Sequence, residues 1–159
     1  MGMDVYGKNP TMEKLNDKGK PIGEYFRNNV WWWRPLWQYC YTSSPELIDK
    51  ETFLSGCHND GAGLNATDAI KLGVKLLVLI EDGSCAEYKK GRDEWLETLK
   101  DENCSVCNNN NRGYKKKKEC KPCDGKGTKD NWNKHYPFHV ENVKEFADFL
   151  IVSGGFKIC

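Results

Sequence analysis

No apolar run in this chain is long enough to cross a bilayer. The longest, residues 74–80 (VKLLVLI), contains a lysine and falls far short of the ~20 residues that a spanning helix needs. The N-terminus lacks the apolar stretch of a secretory signal. Tyr6 stands where a myristoylation signal after Met1-Gly2 would need Ser or Thr. An excess of charge of one sign is also missing. The chain has 24 Lys and Arg against 23 Asp and Glu, a formal net charge of +1, so any electrostatic function must come from a local patch. No phosphate-binding loop, nucleophile elbow, dinucleotide fingerprint or His-Glu-x-x-His motif is present. These absences place the chain in the cytoplasm and argue against an enzyme. The competing enzymatic reading rests on His58 and Asp60, in a glycine-rich turn after Cys57. Adjacent Cys and His seldom face one another as nucleophile and base, and no orienting third group is evident.

Cysteine, by contrast, is plentiful, with eight in 159 residues. Four of them form two tight pairs, Cys104-x2-Cys107 and Cys120-x2-Cys123. In a chain with no secretory signal, that pattern reads as metal binding before disulfides. Each pair makes a knuckle whose sulfurs can point at one ion, and the twelve residues between the pairs let the second knuckle close a tetrahedron. Zn2+ suits four thiolates, and four protein ligands leave no open position, so one structural ion is expected. A disulfide-bonded loop, four separate thiols and an iron-based cluster are the competing readings.

Between the knuckles lies a lysine run, Lys115, Lys116, Lys117 and Lys118. Residues 104–129 hold eight positive and two negative side chains, a net +6, so the module is a positive lobe on a mildly negative remainder. Three readings stand side by side: contact with nucleic-acid phosphates, docking on an acidic partner surface, and a merely solvated loop.

The remaining pattern predicts a mainly α fold: a compact helical domain with an inserted zinc knuckle or ribbon. Residues 1–24 read as an extended arm, 25–101 as a helical core, 102–130 as the knuckle, and 131–159 as a C-terminal helix packing on the core. Pro35 is expected to end one element and open a short helix, and Pro45 to begin another. Asn65 caps a helix over about 66–81 whose second half is apolar on nearly every side, which predicts a central buried helix. A further helix, from Ser84 to about Lys100, is expected to turn Tyr88, Trp95 and Leu99 inward. Val140, Val143, Phe146, Ala147, Leu150 and Ile151 repeat at helical spacing, and Gly154-Gly155 signals a cap. Trp31, Trp32 and Trp33 cannot all face one core, because consecutive residues step by ~100° in a helix and alternate in a strand. Two are expected inside and one, Trp32, outside. With Arg34 it is a candidate partner-binding residue, since Trp and Arg are enriched in interface hot spots.

Two resemblances add to this reading. Cys120-Lys-Pro-Cys123-Asp-Gly125-Lys-Gly127 is similar to the CxxCxGxG repeat of the zinc domain of DnaJ chaperones. The likeness covers about twenty-five residues, and the Cys104 knuckle lacks the glycines. It implies knuckle geometry and a metal, not a co-chaperone, as no His-Pro-Asp signature is present. More broadly, Met3-Asp-Val-Tyr-Gly7, the Tyr25-Phe-Arg-Asn-Asn-Val-Trp-Trp-Trp-Arg-Pro-Leu-Trp37 segment, Asn59-Asp-Gly61, the Cys pairs and Pro137-Phe-His-Val-Glu-Asn-Val resemble a family of uncharacterised phage and prophage proteins. That resemblance implies a mobile-element setting and no mechanism; small non-enzymatic phage proteins often act on a host macromolecule. The partner would be a host protein or protein–nucleic acid complex, with anti-CRISPR inhibition of an effector nuclease as its concrete form. Direct binding of DNA or RNA through the lysine loop is the alternative.

Overall fold

The computed structural model describes residues 2–108 and 120–159. In chain order its elements are β1 (Gly2–Gly7), β2 (Tyr25–Asn29), α1 (Val30–Ser43), α2 (Lys50–Ser55), α3 (Ala66–Glu81), α4 (Ser84–Thr98), β3 (Glu102–Asn103), α5 (Ser105–Asn108), β4 (Thr128–Lys129), α6 (Val140–Val152) and β5 (Phe156–Ile158). They fall into two units: residues 1–92 with 136–159, and residues 93–135.

The larger unit is not built from helices alone. Residues 2–7, assigned to an extended arm by the sequence reading, form the middle strand of a three-stranded antiparallel sheet ordered β2-β1-β5. Met3 and Val5 alternate inward with Phe26, Phe156 and Ile158, as a one-sided sheet requires. The fold is therefore helical with a small sheet. The expectation of a mainly α chain missed the strands because their partners lie far away in sequence. Gly7 lies against the turn leading into β2: a Cβ there would stand 1.9 Å from the Gly23 carbonyl oxygen, so the close approach requires glycine.

Behind the sheet, α3 and α6 pack face to face. Ala69, Leu72 and Leu76 meet the side of α6 that carries Val143, Phe146, Ala147 and Leu150, all fully buried. A Cβ on Gly73 would lie 2.9 Å from Ala147 O, so this glycine sets how closely the two helices approach. Asn65 caps α3 as anticipated, its Oδ1 accepting the Asp68 amide at 2.9 Å. The helix is nevertheless buried on one side only, since Ile70, Val74 and Val78 are exposed. Burial follows the face that meets α6, whatever the local hydrophobicity.

Helix α1 runs straight through Pro35, contrary to the expected break. Proline here forfeits the bond back to the Trp31 carbonyl, at a cost of about 3 kcal/mol. Against that, Trp33, Leu36 and Trp37 are buried to 1% or less, each contributing roughly 1.5–3 kcal/mol. Asn29 caps the first turn by accepting the Trp32 amide at 3.0 Å. The Trp33 and Trp37 rings stack at 5.4 Å. Their indole N–H groups donate to Gly56 O at 2.7 Å and Phe53 O at 3.0 Å, which ties α1 to the end of α2. That helix starts at Lys50 under an Asp49 cap, later than Pro45 suggested. In α4, Tyr88 packs on Tyr39 and Phe138, but Trp95 is exposed.

Candidate metal centre

Unit 93–135 is organised around its cysteines. Strands β3 and β4 pair through only two residue pairs, Glu102↔Lys129 and Asn103↔Thr128. The first knuckle follows β3 directly and places Cys107 on the short α5; the second is a 3-10 turn over Lys121–Cys123. The chain then reverses through Asp124, Gly125 and Gly127, all at positive φ (47°, 76° and 80°). Gly125 and Gly127 adopt this conformation without strain. The reversal lets Gly125 N–H donate to Cys120 O at 3.2 Å and Gly127 N–H to Cys123 Sγ at 3.3 Å. The amide of Cys104 donates to Gly127 O at 2.9 Å, joining the two knuckles. The knuckle geometry that the CxxCxGxG likeness implies is matched by these amide hydrogen bonds.

The four sulfurs converge, with Cys104, Cys107, Cys120 and Cys123 Sγ all within 4.8 Å of one another. Cys104 Sγ is 3.8 Å from Cys120 Sγ, and Cys107 Sγ is 3.7 Å from Cys123 Sγ. Tetrahedral zinc with Zn–S bonds of about 2.3 Å places its sulfurs about 3.8 Å apart. A disulfide would need about 2.05 Å. Three of the four cysteines are buried and Cys107 is partly so. The donor set and spacing fit one four-coordinate ion. Zinc would be held by these four thiolates, serving as a crosslink between the two knuckles.

The protonation pattern explains why such a cluster calls for a cation. The amide N–H groups of Cys107, and then of Val106, hold the Cys104 thiol down at about 6. Burial pushes Cys107 up, and it pushes Cys120 up to about 12. Four sulfurs this close cannot all ionise unless a positive charge sits among them. Metal binding would therefore release protons, and affinity should rise with pH.

The other sequence candidates are dispersed. Lys115, Lys116, Lys117 and Lys118 lie outside the described residues. Trp32 is 42% exposed and packs against the His139 ring at 4.7 Å; Trp33 is fully buried and Trp31 partly so. Arg34 donates to the Tyr136 hydroxyl at 2.9 Å, with its guanidinium 5.7 Å from that ring's centre. His58 and Asp60 are exposed, and burial raises the Cys57 thiol, the opposite of what a thiolate nucleophile needs.

The sequence reading missed a polar cleft of about 550 Å³ beside the second knuckle, lined among others by Glu102, Lys126, Asp130, Trp132 and His135. The isolated Trp132 between polar residues was its only signal. Among the described residues no helix is long and apolar enough to cross a membrane. Compared with protein-family models, curated proteins and solved structures, the chain matches none.

Proposed function

We propose that this chain is a zinc-stabilised, non-catalytic binding protein of mobile-element origin. It would act in the cytoplasm of a bacterial host and inhibit a nucleic-acid-handling defence complex, with a CRISPR-Cas effector nuclease as the concrete target. The four-sulfur cluster carries the reading. Four thiolates complete the coordination sphere, leaving no position for water or substrate, so the ion staples and does not catalyse. Exposed Trp32 supports docking on a protein, because a half-exposed indole held against His139 is a rigid anchor of the hot-spot kind. The mobile-element setting rests on the resemblance of the Trp segment.

The test is DNA cleavage by a purified effector nuclease with increasing amounts of the zinc-loaded protein, paired with a nuclease-treated pull-down. Inhibition at near-stoichiometric amounts is expected, with complexes that survive nuclease treatment. Trp32→Ala should raise the inhibitory concentration roughly thirtyfold, the scale of a 2 kcal/mol hot spot. Cleavage that continues unaffected would sink the proposal.

A second reading is direct binding of DNA or RNA through the lysine loop, favoured by the net +6 of residues 104–129. Replacing Lys115, Lys116, Lys117 and Lys118 with Ala would then weaken binding and flatten its salt dependence.

A further inference from the structure

The solvent side of the three-stranded sheet differs from an ordinary polar face. Met3, Val5 and Phe26 turn inward, which leaves Asp4, Tyr6, Tyr25 and Arg27 facing out. Tyr6 and Tyr25 are direct cross-strand partners, with ring centres 5.0 Å apart and planes tilted by 42°. A cross-strand aromatic pair stabilises a sheet, yet these residues remain 48% and 42% exposed. On its other side Tyr6 is in register with Lys157 of β5, so one row across the sheet reads Tyr25, Tyr6, Lys157.

The platform is braced. Asp4 accepts a hydrogen bond from the Tyr25 hydroxyl, and its Oδ1 lies 3.6 Å from Arg27 Nε. One carboxylate thus restrains both the ring and the neighbouring cation. The turn before β2 is fixed by Asn16, whose Oδ1 accepts the Lys18 and Lys20 amides at 2.9 and 3.1 Å. With the two tyrosines, Asn16, Lys20, Pro21 and Glu24 enclose a cleft of about 310 Å³, within the range of ligand pockets.

We propose that this face binds single-stranded nucleic acid, with bases stacking on Tyr6 and Tyr25 and phosphates meeting Lys20, Arg27 and Lys157. Exposed rings beside cations are the chemistry that single strands require: every base offers a π-face and every linkage a negative charge. A sheet is a suitable base for such rings because it holds them rigidly side by side. The charge balance favours a polyanion over a cationic peptide. Lys20, Arg27 and Lys157 stand beside two acids, Asp4 (paired with Arg27) and Glu24, which leaves a net charge of +1 on this face. This site is separate from the lysine run and goes beyond the inhibitor reading.

The experiment measures fluorescence anisotropy of labelled oligo-dT and oligo-U, each about fifteen nucleotides long, with the zinc-loaded full chain. Binding is expected. Tyr6→Ala and Tyr25→Ala should each weaken it roughly 5- to 150-fold, with thermal unfolding as the check on folding. Tyr25→Phe keeps the stacking ring and loses only the bond to Asp4, so it should weaken binding less than Tyr25→Ala. A variant with Ala at Lys115, Lys116, Lys117 and Lys118 should keep its dependence on the two tyrosines. The proposal is overturned if neither oligonucleotide binds, or if Tyr25→Phe falls as far as Tyr25→Ala. It is also overturned if only the lysine variant loses affinity, which would leave the loop as the nucleic-acid contact and the sheet as a protein-docking face.

Discussion

Removing the metal should melt the cysteine unit and leave the helices standing. Among the described residues of the cysteine unit, the apolar cluster consists of Cys104, Cys120 and Cys123, with Val106 and Cys107 packed against them. Its ladder has two residue pairs, and even a full two-stranded hairpin is only marginally stable in water. Backbone amides form hydrogen bonds that depend on the knuckles: Cys104 N–H to Gly127 O, Gly125 N–H to Cys120 O, and Gly127 N–H to the Cys123 Sγ. A metal that binds only the folded form contributes RT ln(1 + [L]/Kd), about 4.1 kcal/mol when free metal exceeds Kd a thousandfold. Chelation should therefore lower hydrogen-exchange protection of the Cys104 and Gly127 amides about a thousandfold. Amides of α3 and α6 should keep theirs, because their contacts run through Leu72, Leu76, Phe146 and Leu150 in the other unit. The assay is amide exchange by mass spectrometry with and without a strong zinc chelator. Unchanged exchange at Cys104 and Gly127 would refute the reasoning, as would recovery of these cysteines as disulfides from reduced, metal-loaded protein.

Further outcomes follow from the same geometry. Cys120→Ser should drop bound zinc below one ion per chain, read by elemental analysis, because no fifth sulfur stands in the described cluster to replace it. Trp33→Ala should cost about 3–5 kcal/mol in denaturant unfolding, since it removes a ring set edge-on to Phe146 and the bond to Gly56 O. Asp148 lies 2.7 Å from both Lys14 and Lys144; burial works to raise its pKa, but the two lysines outweigh it and hold the carboxyl below its ordinary value. Its contribution is present above the unfolded carboxylate value of about 3.9 and is lost as pH falls through the lower folded value. Asp148→Asn should thus be less stable than wild type at about pH 7, with the gap narrowing towards about pH 2, as urea titrations at each pH would show.

The four-cysteine cluster was legible because its determinants are local. Two Cys-x2-Cys pairs and a Gly-x-Gly tail specify knuckles and turns by spacing alone, and the structure adds the sulfur separations and the Cys104–Gly127 bond. Asn65 as a cap and the 140–151 periodicity were legible for the same reason, since capping and helical period act within a few residues. The tryptophan triplet could be read only as a constraint that not all three would be hidden; the face of α1 that meets α2 and Phe146 selected Trp33 for burial. Pro35 misled because the local cost of a proline is visible in sequence, while the burial that offsets it is not. Residues 2–7 misled more deeply. Their inward alternation is two side chains long, Met3 and Val5, and their partners are residues 25–29 and 156–158. That pairing joins the beginning of the chain to its end, so no local window contains it. The tyrosine face arises from it directly, because Tyr6 and Tyr25 become neighbours only once the strands are in register. The convergence of the four cysteines is thus written in short-range spacing, whereas which rings and charges share a surface was decided by non-local packing.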